Sequence, residues 1–200
     1  MRKLLLALFI LPALAGVAQA QLDPDDDGIG VYFDPCACNN CITMDVGAHR
    51  AFLVITHPTS PMGVHGWEAK LTTTGPIFLT NVDVNIMGSG AINVGILPGE
   101  YIVGVVNPMI NPFTYPAVVI GIIDFYLSST ATPAQFFIDG VFFHSLPEKV
   151  PAYLDGADTN MIKELKQSTG GRTFPVATIN GDCAVSIEGE SWGGVKALFR

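Results

Sequence analysis

Strict two-residue alternation, interrupted at short intervals by turn residues, is the feature that most limits what this chain can become. In Val82-Asp-Val-Asn-Ile-Met87 the apolar Val82, Val84 and Ile86 fall on one side, and Asp83 and Asn85 on the other. That is the period of a half-buried strand. Similar runs recur as GVYFD (30–34), CITMDV (41–46), RAFLVITH (50–57), VHGWEAKL (64–71), PIFLT (76–80), INVGIL (92–97), EYIVGVV (100–106) and AQFFIDGVFF (134–143). In VHGWEAKL the alternation puts Trp67, Ala69 and Leu71 together on one side and Glu68 and Lys70 on the other. The longest run, AVVIGIIDFYLSS (117–129), pairs β-branched residues with Gly121 and has no charged face, which favours a strand over a helix. Pro58-Thr-Ser-Pro61, Pro98-Gly99 and Asn111–Pro116 punctuate the series. One short helix is expected, over Thr159–Gln167 with Asp158 as its cap. Nine to eleven short strands with turns every eight to twelve residues predict an all-β fold. The expected architecture is an immunoglobulin-like or jelly-roll-like β-sandwich with at most one short helix.

The chain opens MRKLLLALFILPALAGVAQA: Arg2 and Lys3, an apolar run, then Ala18-Gln19-Ala20. This is the pattern of a secretory signal peptide cleaved after Ala20. Residues 1–20 are therefore read as the signal peptide and residues 21–200 as a single β-sandwich domain. The apolar run is shorter than the roughly 20 residues that span a bilayer. No later segment has the pattern of a transmembrane helix. The expected location is outside the cytoplasm, in the periplasm or beyond the cell. Losing Arg2 and Lys3 with the leader takes the formal charge from −8 to −10. Nucleic acid is a poor partner for such a chain, because phosphate binding relies on lysine and arginine. An extracellular or envelope partner is expected instead.

Cysteine usage adds a framework. Asp34-Pro-Cys-Ala-Cys-Asn-Asn-Cys41 holds Cys36, Cys38 and Cys41, and Cys183 stands far away. A zinc knuckle lacks its second CxxC half, and a redox pair lacks the helix that would follow it. In an exported chain the pattern reads as two disulfide staples. Joining Cys36 to Cys38 across one residue strains ordinary bridge geometry. The expectation is a local bridge from Cys41 to Cys36 or to Cys38, with the remaining one reaching Cys183. The long bridge would cost the unfolded chain about 4–5 kcal/mol of loop entropy.

Candidate sites are sparse. Asp23-Pro-Asp-Asp-Asp-Gly28 opens like a calcium loop, with Asp23, Asp25 and Asp27 at alternate positions and Asp34 at the twelfth. No other cofactor is expected. Asp155, Asp158 and Asn160 offer a second oxygen-rich loop, which Asx turns explain equally well. Glu68 and Glu100 are the carboxylates available for glycoside hydrolysis. His57, His65 and Asp45 are the only histidine-based metal set, and no recognised spacing supports it. Trp67, Trp192 and Tyr101 are available for carbohydrate stacking, although tryptophans on apolar faces usually anchor a core. Asn111-Pro-Phe-Thr-Tyr-Pro116 places Phe113 and Tyr115 on an exposed binding loop.

The blocks Gly30–Asp34, Pro151–Gly156 (PAYLDG), Ile179–Cys183 (INGDC) and Ser191–Arg200 (SWGGVKALFR) resemble those of a group of uncharacterised secreted proteins. These come from metagenomic genomes of deep-branching Gram-negative bacteria. Members share GxYFD, PAYxDG, INGDC and SWGxVKxL[YF]R blocks after a signal peptide. The resemblance implies a single β-rich domain in which Cys183 pairs with the N-terminal cysteines, and it implies no activity. The leading expectation is a secreted, non-catalytic β-sandwich with a structural or binding role. A hydrolase of polysaccharide or peptide and a calcium-stabilised adhesion module are the alternatives.

Overall fold

A computed structural model describes residues 23, 25–109 and 116–183. The signal-peptide region, Phe113, Tyr115, Trp192 and the terminal block 191–200 lie outside the described residues. Among the described residues there are thirteen strands: β1 (Gly28–Tyr32), β2 (Cys41–Ile42), β3 (Gly47–Thr56), β4 (Val64–Thr74), β5 (Ile77–Asp83), β6 (Ile92–Asn93), β7 (Glu100–Met109), β8 (Ala117–Leu127), β9 (Ala134–Asp139), β10 (Ala152–Asp155), β11 (Ile162–Glu164), β12 (Lys166–Gln167) and β13 (Ala177–Ile179). They form two sheets. Sheet A runs β12-β1-β3-β8-β5, and sheet B runs β11-β10-β4-β9-β13-β2 with β7 and β6 attached through β4. β4 is the hub of sheet B. It pairs with β7 from Val64 to Lys70, and also with β10 over Val64–Glu68 and β9 over Lys70–Thr74.

The alternation read from the sequence sets which faces meet. Ile29, Val31, Leu53, Ile55, Ile123 and Phe125 of sheet A pack against Trp67, Leu71, Val103, Phe136 and Ile138 of sheet B in one buried cluster. Phe125 and Phe136 meet edge to face across it, with ring centroids 5.6 Å apart. Such pairs add about 0.5–1.5 kcal/mol beyond the area they bury. The all-β sandwich is thus the fold of the described residues, and no helix among them is long and apolar enough to cross a membrane.

Three local expectations need correction. The helix over Thr159–Gln167 is replaced by a turn, β11 and β12. β10 offers an open edge, and β11 fills it with Ala152↔Glu164 and Leu154↔Ile162 pairs. β12 meanwhile lies parallel to β1. Asp158 caps no helix: its Oδ1 accepts the Asn160 backbone N–H at 3.0 Å, which makes an Asx turn. The strand over 82–87 ends at Asp83, and Ile86–Gly88 forms a single 3-10 turn. Even so, Val82 and Val84 still pack on the core and Ile86 is buried.

The cysteine pairing also differs. The bridges are Cys41–Cys183 and Cys36–Cys38. β2 runs parallel to β13 with Cys41 opposite Thr178, so Cys41 is the cysteine carried to the segment that ends in Cys183. Their Cα atoms are 5.4 Å apart. Cys36 and Cys38 then have only each other. Ala37 takes a left-handed φ of 55°, which folds the chain back and brings their Cα atoms within 5.3 Å. Asp34 holds that turn by accepting the Cys38 N–H at 2.8 Å. The bridge judged too short to close is closed by an unusual backbone at one buried alanine.

Candidate functional site

The outer face of sheet B carries the main candidate surface. Residues opposite each other in register share a face. Trp67, Val103 and Tyr153 are paired and point into the core. The next rows along therefore face outward. One of these reads Ile162, Leu154, Gly66, Gly104, Ile92 across β11, β10, β4, β7 and β6. The following row reads Glu164, Ala152, Glu68, Ile102, and Val94 joins it by donating its N–H to the Ile102 carbonyl at 2.8 Å.

Two glycines facing each other on adjacent strands remove the side chains from the middle of this face. A Cβ added at Gly104 would meet nothing within 4 Å. The result is an open cleft of about 240 Å3, floored by Gly66 and Gly104 and walled by Leu154 and Ile162 on one side and Val94 and Ile102 on the other. Ile92, Val94 and Ile162 are 66%, 62% and 41% exposed, and Val106, two residues beyond Gly104 on the same face, is 71% exposed. Isolated exposed aliphatic residues are ordinary; here they form a set around one trough.

Glu68 and Ser145 line the trough, and Glu100 lies further along the same face. Glu68 is buried, and its carboxylate accepts the Ser145 N–H and the Ser145 hydroxyl, both at 2.7 Å. Glu100 is also buried and accepts the Phe142 N–H at 2.9 Å. Both carboxylates therefore fasten the segment 140–149 onto the sheet. This clamp leaves Phe142 and Phe143 exposed, as an edge-to-face pair with centroids 4.9 Å apart. Charge-assisted bonds of this kind contribute about 1.5–3 kcal/mol each. A glycosidase needs one carboxyl to protonate a leaving group and another to attack or activate water. Glu68 is bonded through both oxygens to Ser145, whereas Glu100 is bonded through Oε1 alone and its buried Oε2 has no partner among the described residues.

The other candidates are dispersed. Asp45 and His57 sit beyond opposite ends of the ten-residue β3, roughly 30 Å apart at the usual strand rise. His65 lines the trough without them. Trp67 is 3% exposed and stacks on Tyr101 at 6.0 Å, so it belongs to the core. Asp27 accepts the Tyr153 hydroxyl at 2.6 Å, the Thr59 N–H at 2.7 Å and the Thr59 hydroxyl at 2.7 Å. Burial, and then the bond to Asp27, push the Tyr153 phenol well above its ordinary range. Asp155 accepts the Ser60 hydroxyl at 2.8 Å and the Ala157 N–H at 2.7 Å, and pairs with the Lys163 ammonium at 2.9 Å. Burial alone would raise its carboxyl, but Lys163 and these donors outweigh it and bring it down to about 2. Asp23 accepts the Asp25 N–H and lies beside Thr56, while Asp34 holds the Cys36–Cys38 turn; among the described residues Asp23, Asp25, Asp27 and Asp34 do not form one cluster of ligand atoms. Among the described residues only Asp34, Cys36 and Cys38 form a cluster of metal-ligating types, and the two sulfurs are bonded to each other.

The trough is the feature that sequence reading missed. Its signal was present as Gly66 and Gly104 inside strand patterns, since an interior strand glycine often marks a close approach by another group.

No protein-family model matches the chain, and no curated protein does. Solved structures do. The sixth cohesin of scaffoldin B from Acetivibrio cellulolyticus, determined in complex with a dockerin, superposes with a TM-score of 0.51 at 11% identity. The match covers 79% of this chain and 100% of that one. The second type II cohesin of the adaptor scaffoldin from the same organism gives 0.47 at 10% identity, over 80% and 99%. A non-cellulosomal cohesin from the archaeon Archaeoglobus fulgidus gives 0.46 at 7% identity, over 78% and 90%. At these identities the likeness is one of fold.

Proposed function

We propose that this chain is an exported, non-catalytic binding protein of the cell envelope or extracellular space that docks a protein partner on the outer face of sheet B. The observation that carries this reading is the exposed aliphatic trough over Gly66 and Gly104, with both nearby carboxylates bonded within the fold. The cleft presents aliphatic walls from Val94, Ile102, Leu154 and Ile162, and the exposed Phe142–Phe143 pair stands on the segment that Glu68 and Glu100 fasten to the sheet. That combination suits the apolar centre of a protein interface. The signal-peptide pattern supports export, and two disulfides suit an oxidising compartment. A cohesin of similar fold, determined in complex with a dockerin, supports this reading.

The test is to immobilise the mature chain and its Gly104→Arg variant and expose both to the envelope fraction of the native host. Arginine at Gly104 fills open space, so the melting temperature should hold while the trough is blocked. A protein retained by the native chain and lost by the variant is the expected result. Retention unaffected by both Gly104→Arg and Ile92→Asp would remove the trough from consideration. Hydrolysis of a polysaccharide or peptide that disappears in Glu68→Gln would replace the reading with an enzymatic one.

A further inference from the structure

β1 alternates Ile29 and Val31 into the core and Gly28, Gly30 and Tyr32 onto the outer face of sheet A. The two glycines leave a gap there, and the groups that fill it are polar. Thr56 lies opposite Gly28 on β3. A Cβ on Gly28 would collide with the Thr56 hydroxyl and lie 2.7 Å from Asp23 Oδ2. A Cβ on Gly30 would lie 2.6 Å from the Ser168 hydroxyl and 2.7 Å from Tyr32 Cε2. The Tyr32 ring is thus folded back over Gly30, along the strand toward Gly28. Asp23, Thr56, Tyr32 and Ser168 are respectively 8%, 0%, 3% and 6% exposed.

Among the described residues the Thr56 hydroxyl has no hydrogen-bond partner, and the Tyr32 and Ser168 hydroxyls have no partner beyond each other. Asp23 accepts one weak bond, from the Asp25 N–H at 3.1 Å, and among the described residues no ion pair reaches it. Burial pushes the Asp23 carboxyl and the Tyr32 phenol above their ordinary ranges. A buried polar atom without a partner costs about 1–3 kcal/mol, and a buried charge more. A common occupant over this pair of glycines would satisfy Thr56 and the remaining lone pairs of the other three groups. These four groups offer oxygen atoms, and that is the ligand preference of hard cations.

We propose that the Asp23 carboxylate and the hydroxyls of Thr56, Tyr32 and Ser168 hold a hard cation, calcium or sodium, over Gly28 and Gly30 on the outer face of sheet A. The acidic run at the N-terminus then contributes a single carboxylate, and the rest of the ligand set comes from β1, β3 and the segment after β12. Asp27 is excluded because its oxygens are taken by Thr59 and Tyr153. Bound cation would tie the chain's first described residues to the sandwich.

Terbium luminescence excited through tyrosine tests the site on the full mature chain. Emission should saturate, be displaced by calcium and not by choline, and fall severalfold in Tyr32→Phe. Thr56→Val and Ser168→Ala should weaken binding, and Asp25→Asn with Asp26→Asn should leave it intact. Emission that survives Asp23→Asn, or that vanishes with Asp25 and Asp26, would place the ion on the exposed acidic run and overturn the proposal. Melting provides the second reading. In choline chloride Asp23→Asn should melt at or above the native chain, since it removes an unpaired buried carboxylate. A rise in the native melting temperature with added calcium identifies the divalent ion, and a rise on replacing choline by sodium identifies the monovalent one. The Asp23→Asn variant should show neither rise. No rise with either cation in the native chain overturns the site.

Discussion

Removing each disulfide separately should expose how unequal the two bridges are. Cys41–Cys183 closes a loop with a sequence separation of 142, and Cys36–Cys38 one with a separation of 2. In the chain-entropy relation the long loop restricts the unfolded state by about 5 kcal/mol and the short one by about 1 kcal/mol. The native state widens the gap. The long bridge fastens β2 to the strand that carries sheet B back toward its N-terminal edge, whereas the short one holds Ala37 in a left-handed conformation that reduction would relax. The double variant Cys41→Ser/Cys183→Ser should therefore lose about 4–5 kcal/mol, and Cys36→Ser/Cys38→Ser about 1 kcal/mol or less. With a urea m-value of about 2 kcal/mol/M, the first shifts the unfolding midpoint by about 2 M and the second by less than about 0.5 M. Intrinsic fluorescence is a suitable probe because Trp67 is in the core. Equal losses for the two variants, or a larger loss for the Cys36/Cys38 pair, would refute the pairing and the reasoning from loop length. Peptide mapping of the unreduced chain provides an independent check.

Two further perturbations address the clamp and the acid limb. Glu68→Ala strips both partners from Ser145 and should destabilise the chain by about 2–3 kcal/mol in urea unfolding. Amide exchange over residues 142–145 should accelerate more than in β4, and a uniform change would refute a local clamp. The Asp155 carboxyl is held down at about 2 in the folded state against 3.8 as its ordinary value. A carboxyl lowered by folding stabilises above its unfolded value and loses that contribution as pH falls through the folded one. Melting temperature should therefore drop between about pH 4 and pH 2 in the native chain. Lys163→Met should flatten that drop and lower stability at neutral pH, and an unchanged acid limb would show that Lys163 does not set it.

How far the sequence was legible varied with the range of the interaction. The strand at Ala117–Leu127 was readable because its β-branched run and lack of a polar face are local properties. The inward set of Trp67, Ala69 and Leu71 followed from period two and is buried as expected. Ile162–Glu164 misled because its helix-like residues were read alone, whereas the open edge of β10 decides their conformation. Glu68 and Glu100 looked like carboxylates available for hydrolysis, since nothing near them in sequence announces Ser145 or Phe142. Cysteine spacing counted the bridges correctly but not their partners, which depend on β2 meeting β13.

By itself the sequence determined an all-β chain, the buried side of its main strands and the presence of a disulfide framework. Each of these follows from side-chain alternation or composition within a few residues. Tertiary structure alone decided that β4 lies between β7 and the β9–β10 edge, that two glycines meet to floor a trough, and that Asp23 and Thr56 come together over Gly28. Those outcomes depend on register between segments tens of residues apart. Register is selected by the summed burial of whole faces, and no local pattern records it.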